Sequence, residues 1–142
     1  MSGGVMFVLH ERLENDTAFV IDWPTSTVRL MNDASYPWLI LVPRYNGISE
    51  LHHLEPADQA QAMEEISAAS RSIERLFSPD KINIGALGNL VPQLHFHVLG
   101  RFGTDPAWPG PVWGAHPPMP YEPNKLKVTL EKFRVDLIQA FD

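Results

Sequence analysis

The run Gln93-Leu94-His95-Phe96-His97-Val98-Leu99-Gly100-Arg101 alternates polar and apolar side chains with a period of two. Alternate residues of a strand share a face, so the run predicts Gln93, His95 and His97 pointing one way and Leu94, Phe96 and Val98 entering a core. A strand of this kind needs partners. Thr17 to Trp23 and Thr27 to Asn32 are β-rich and flank a Pro24-Thr25-Ser26 turn signal, which predicts a hairpin. The nearly all-apolar stretch Trp38 to Val42, ended by Pro43, adds a third strand and an antiparallel meander.

From Pro56 to Phe77 the apolar residues Met63, Ile66, Ala69, Ile73 and Leu76 fall three and four apart, the helical period. Pro56 suits the first turn, Asp58 complements the dipole there, and Ser78-Pro79 ends the helix. Lys81 to Ile84 and Leu94 to Leu99 read as two further strands. Gly85, Gly88 and Pro92 between them predict a bend close to whatever the histidines bind. Seven of the thirteen prolines lie between Pro106 and Pro123, with Trp108 and Trp113. Such a segment cannot be regular, but two tryptophans predict that it packs on the body or across a partner subunit, with structural rather than catalytic roles. Asn124 then reads as the cap of a final helix over 124–141, with Leu126, Leu130, Phe133, Leu137 and Phe141 on one face. The expected fold class is α+β: about five antiparallel strands, one long helix and a C-terminal helix, in a single domain spanning 1–142.

Composition narrows the partners. No cysteine is present, which excludes disulfides and thiol nucleophiles. A net charge of -6 and a pI of about 5.4 argue against a nucleic-acid surface, since such binding rests on many Lys and Arg. A small phosphorylated ligand held by a few local donors stays compatible. No stretch approaches the roughly 20 apolar residues of a membrane helix, and Val5 to Leu9 is too short for a secretory signal, so the expected location is cytoplasmic.

Two histidines at i and i+2 on a strand have three uses. They can face water without function, ligate a metal, or act on a phosphate. Zinc would require a third ligand beside His95 and His97, and the nearest acid downstream is Asp105, beyond a glycine. His52 and His53 are adjacent and diverge, so at most one could join. For phosphoryl chemistry, a neutral imidazole is a competent nucleophile at pH 7, while a second imidazole and an amide can hold the oxygens on which charge develops. No Walker lysine motif or kinase-type glycine loop is present.

The same residues resemble the histidine triad (HIT) superfamily, whose signature is His-x-His-x-His followed by two apolar residues and commonly Gly-Arg. The match here fails only at Gln93. Asn83-Ile84-Gly85 is similar to the family's Asn-x-Gly strand end, Gly88-Asn89 to its Gly-Gln pair, and Leu39 to Arg44 to its apolar strand ending in Pro-Lys. The resemblance implies a nucleotide hydrolase or nucleotidyltransferase. The central histidine would attack the α-phosphate of a dinucleoside polyphosphate, nucleoside phosphoramidate or similar derivative, forming a nucleotidyl-histidine. By position His95 is the expected nucleophile, with His97 and Gln93 completing the catalytic set. Asn83, Asn89 and Arg101 are expected at phosphate, and Asn32 near the nucleoside, which would lie by the strand end Leu30 to Asp33. A homodimer without cofactor or metal, acting on a small nucleotide, is the implied assembly. Two more departures stand out: Leu90 replaces a Ser or Thr, and Trp38 replaces a histidine. Gln93 and Leu90 together motivate an alternative, a catalytically weak nucleotide-binding or sensing protein; a metal-dependent hydrolase using His95 and His97 is a further one. His10, His52, His53 and His116 match no motif and are expected at the surface or in packing.

Overall fold

The computed structural model describes residues 6–141, so the apolar stretch Val5 to Leu9 and the domain span 1–142 extend outside the described residues. A short helix α1 (Glu11–Asp16) leads into the meander β1 (Thr17–Asp22), β2 (Ser26–Met31) and β3 (Trp38–Pro43). A single 3-10 turn (Leu51–His53) precedes α2 (Pro56–Phe77), and β4 (Lys81–Gly85), β5 (Phe96–Arg101) and α3 (Pro123–Leu137) complete the order. All strand pairs are antiparallel, in the order β1-β2-β3-β5-β4. The α+β class with a five-stranded antiparallel sheet is therefore as the sequence predicts; α1 is an addition.

The sheet carries apolar residues on both faces because both faces are covered. Every residue of β3 is buried, which suits a strand paired on both sides and packed above and below. On one face Leu30, Leu39, Leu41, Phe96 and Val98 meet Ile66, Ala69 and Ile73 of α2 and Phe133 of α3. On the other, Trp38, Ile40, Val42 and Leu99 meet Leu13 of α1 and Val112 of the proline-rich segment. Alternation along β5 thus sends Phe96 and Val98 to the helical side and His97, Leu99 and Arg101 to the opposite side.

Helix α2 runs as its spacing predicts, burying Ala62, Ile66, Ala69 and Ile73, although Met63 stays 56% exposed at the edge of that stripe. It stops where Ser78 enters the left-handed region at φ 49 and donates its N–H to Glu74 O, with Pro79 next. The last helix differs from expectation at both ends. Glu122, rather than Asn124, caps it by accepting from the N–H groups of Asn124 and Lys125, and Pro123 takes the first position. It ends at Leu137, and Phe141 lies edge-on to Trp23 with ring centroids 5.0 Å apart. The segment 106–123 is irregular yet tied to the body: Ala34 N donates to Met119 O at 2.6 Å and Tyr121 N to Asn32 Oδ1 at 2.9 Å.

Candidate active site

β5 begins at Phe96, so Gln93, Leu94 and His95 lie in the approach to it outside the ladder, with the chain bending at Gln93 and Leu94 N donating to Ile48 O at 2.9 Å. His95 and His97 still face the same side, with ring centroids 5.0 Å apart. Each is only 6% exposed, which removes the reading of solvent-facing polar residues. Their cover comes from Trp38 and from Trp113, whose rings lie 5.7 and 5.4 Å from that of His97. Gly85, paired with His97 across the β4–β5 ladder, is what admits Trp113: a Cβ there would sit 3.0 Å from the indole Cη2.

The backbone and Trp38 give the two imidazoles opposite tautomers. His95 Nδ1 lies 2.7 Å from Gln93 O, an acceptor only, so Nδ1 carries the proton and the Nε2 lone pair is free. Trp38 Nε1, a donor only, lies 3.1 Å from His97 Nδ1, so a neutral His97 carries its proton on Nε2. Burial lowers the pKa of both rings. His97 falls from 6.5 to about 3, with His95 adding to the effect, while for His95 the Gln93 carbonyl partly opposes burial and His10 reinforces it. At pH 7 the pair is therefore one lone-pair donor beside one N–H donor.

Both rings border a cavity of about 580 Å³, within the range of small-molecule sites. Besides the two histidines and Trp38 of β3, its walls come from four places. Arg12, Leu13 and Asp16 belong to α1, Met31 and Asp33 to the end of β2, residues 87–91 to the loop before β5, and Val112, Trp113, Gly114, His116 and Pro118 to the proline-rich segment. Gly88 turns that loop at φ 79, where a side chain would be strained, and places Asn89 and Leu90 at the cavity. His95 also borders a smaller recess of about 180 Å³ against Ser49, Glu50, Leu51 and His52. Among the described residues, no group of three or more His, Cys, Asp or Glu side chains is placed to hold a metal ion.

A family model, the HIT domain, matches residues 12–104. That is well over half of the chain. The chain belongs to the HIT domain family. Crystal structures of histidine triad proteins from Marinobacter aquaeolei (46% identity, TM-score 0.92, covering 96% of this chain and 99% of that one) and Bradyrhizobium japonicum (43%, 0.91, 94% and 99%) share the whole fold. A curated relative, an AP-4-A phosphorylase of Mycobacterium tuberculosis, is 35% identical over 80 residues, 49% of this chain and 40% of that protein. The match thus spans less than half of the curated relative's length.

Within this HIT fold, the expected site residues separate into two groups. His95, His97 and Asn89 border the large cavity, and Leu90 and Trp38 join them. Arg101, Asn83, Asn32 and Gln93 do not. Arg101 is 2% exposed and wholly engaged: Nε and Nη2 donate to the Asp105 carboxylate at 2.8 and 3.1 Å, Nη1 to Asn83 Oδ1 at 2.8 Å, and Nη2 to Gly110 O at 2.8 Å. The guanidinium also lies 5.6 Å from the Tyr36 ring centre and 5.8 Å from that of Trp108. Asn83 therefore braces Arg101, and Arg101 anchors the proline-rich segment. Asn32 spends its carbonyl on Tyr121 N. The Gln93 side chain turns toward the N-terminal segment, accepting from His10 N at 2.8 Å and donating to Val8 O at 2.9 Å. A change of direction where the ladder begins explains this, because strict alternation holds only within a paired strand.

Sequence reasoning passed over Arg12, gave Asp33 only as the end of the Leu30 to Asp33 stretch, and assigned His116 to surface or packing, yet all three border the cavity. Asp33, 4% exposed, accepts from Ser35 N through Oδ1 in a local turn and borders the cavity. The Asn-Asp-Ala-Ser string was a visible turn signal for it. His116 stacks on Tyr36 and shares a 2.8 Å hydrogen bond with its hydroxyl, a contact no spacing could announce.

Proposed function

We propose that this HIT protein is a nucleotide hydrolase or nucleotidyltransferase that works through a nucleotidyl-His95 intermediate, with the chain acting as one domain, in the cytoplasm and as a homodimer. One observation carries the reading: a buried, neutral imidazole pair in opposite tautomers at the wall of a nucleotide-sized cavity. The His95 Nε2 lone pair attacks the α-phosphorus while the bond to the leaving group breaks, its electron pair departing with that group, which takes up a proton. His97 Nε2–H donates to a non-bridging oxygen as charge builds there. Water or another acceptor then attacks phosphorus, the P–N bond returns its pair to Nε2, and the acceptor proton passes to solvent or leaving group. Asn89 supports the phosphate from the Gly88 turn, and the Asp33 carboxylate can accept from sugar hydroxyls. The chemistry calls for no cofactor.

The relative named AP-4-A phosphorylase supports dinucleoside polyphosphates as the first substrates to try, beside nucleoside phosphoramidates. Incubation with such a panel, followed by mass spectrometry of the intact protein, is expected to show a nucleotidyl adduct. His95→Ala should abolish it, and His97→Ala should slow its breakdown enough to accumulate it. Equal turnover by wild type and His95→Ala would refute the assignment. Binding with neither adduct nor turnover is the outcome of a nucleotide sensor. Loss of activity to a chelator with rescue by zinc is that of a metal-dependent hydrolase.

A further inference from the structure

Among the described residues no strand pairs with the segment 6–10, yet the backbone there is hydrogen-bonded as though one did. Asn46 accepts from Val8 N at 3.0 Å and donates to Met6 O at 2.8 Å. Gln93 repeats the pattern two residues on, accepting from His10 N at 2.8 Å and donating to Val8 O at 2.9 Å. In a parallel ladder one residue's N–H and C=O reach the C=O and N–H on either side of its partner residue. Each amide side chain therefore imitates one residue of a missing parallel strand, Asn46 astride Phe7 and Gln93 astride Leu9. Phe7 and Leu9 turn inward onto the second core face, while Met6 and Val8 stay 85% and 70% exposed.

From this clamp the order passes into the cavity wall. His10 is the residue that caps α1: its Nδ1 accepts from Arg12 N at 3.0 Å, and its carbonyl accepts from Glu14 N at 3.0 Å. The helix so started presents Arg12, Leu13 and Asp16 to the cavity. A helix of six residues does not hold itself together in water, so its position depends on these tethers.

We propose that Gln93 is a positioning residue which, together with Asn46, builds the α1 wall of the nucleotide cavity, and takes no part in the chemistry at phosphorus. This rests on the cavity being the nucleotide site, as proposed above. The geometry explains the residue type. A primary amide offers its N–H and C=O side by side, matching the Val8 O and His10 N spacing, whereas the ring nitrogens of an imidazole diverge. Orientation of His95 is unaffected by the exchange, since it relies on the Gln93 backbone carbonyl.

The test compares Gln93→His, Asn46→Ala and the double variant with wild type. Asn46 is exposed and borders neither cavity, so a substrate effect from it can only travel through the segment. If releasing the clamp leaves the wall in place only about a fifth of the time, affinity for AMP by calorimetry falls about fivefold. Both single variants are expected to show that loss in Kd and in KM, with kcat within about twofold of wild type. The double variant should lose little more than either single one. Hydrogen exchange at the Val8 and His10 amides should rise about tenfold or more in each, a readout that needs no nucleotide. Unchanged exchange or unchanged Kd in Asn46→Ala would overturn the proposal, as would a Gln93→His enzyme whose kcat changes several-fold while KM stays put. If wild type binds no nucleotide, the functional reading fails, while the exchange rates still report whether the clamp exists.

Discussion

Replacing Asp105 by Asn is the most direct test of what Arg101 does. The carboxylate accepts five hydrogen bonds, from Arg101 Nε and Nη2 and from the backbone N–H groups of Phe102, Ala107 and Trp108. Both partners of the ion pair are 2% exposed. Burial alone would raise the carboxyl pKa, but the Arg101, Phe102 and Trp108 donors outweigh it and hold the group down at about 2. Asparagine keeps the shape but turns one acceptor oxygen into a donor facing other donors. It also leaves the guanidinium buried without a counter-charge. Breaking a buried pair from one side costs about 3–5 kcal/mol. For a chain of this length that is a fall in Tm of roughly 10–20 °C. Thermal and urea unfolding at pH 7 give the number directly. The pH dependence has a definite sign. A depressed carboxyl stabilises fully above the ordinary carboxylate range, and its contribution, about 2 kcal/mol, disappears as pH falls from about 4 through about 2. The gap between wild type and variant should therefore narrow by about 2 kcal/mol in that window. A loss below about 1 kcal/mol, or an unchanged gap down to pH 2, would refute the anchoring role. An Arg101 reserved for substrate phosphate would give the small loss.

Three other outcomes follow from the same contacts. Because burial lowers the His95 pKa, kcat/KM should stay level as pH falls through the usual histidine range near 6.5 and drop only at more acid pH; a break at 6.5 in the pH–rate profile would contradict it. Trp38→Phe removes the donor to His97 Nδ1, opening that nitrogen to a proton, so the His97 pKa should rise from about 3; nitrogen-15 NMR of the ring would show both the tautomer and the shift. Gly85→Ala forces a Cβ to within 3.0 Å of Trp113 Cη2, an overpacking that should cost about 1–3 kcal/mol, loosen the indole from His97 and change its fluorescence; unchanged emission and stability would argue against the packing.

The sheet and α2 were legible because their cause is local. Period-two stretches and a three-and-four apolar stripe state directly which face is buried, and Pro56 and Ser78-Pro79 mark where the helix starts and stops. α1 was not legible, since one buried leucine in six residues sets no period and its cap is a histidine ring. That His95 and His97 share one face was readable from the alternation with their neighbours. The fate of Arg101 was not: its charge is met by a residue four places along an irregular turn, and by Asn83 and Gly110 from two other parts of the chain. Motif position told where Arg101 is, while packing decided what it touches. Gln93 misled for a related reason, because side-chain alternation was extended three residues upstream of the first paired strand residue, Phe96.

The Gln93 substitution and the retained histidines are compatible because two different atoms of one residue serve two different ends. What a nucleophilic His95 needs from residue 93 is an acceptor that pins the proton on Nδ1, and every amino acid supplies one in its backbone carbonyl. The side chain at 93 is thereby released from the chemistry. What His97 needs is a donor to Nδ1, and here the Trp38 indole provides it where the resemblance expects a histidine. An indole N–H cannot lose its role by titration, whereas a histidine donor ceases to be one in the wrong tautomer. The departures at 93 and 38 thus replace groups that can titrate with groups that cannot, around two imidazoles that burial already keeps neutral. Neither residue 93 nor residue 38 then adds a titration of its own to those that reach His95 and His97.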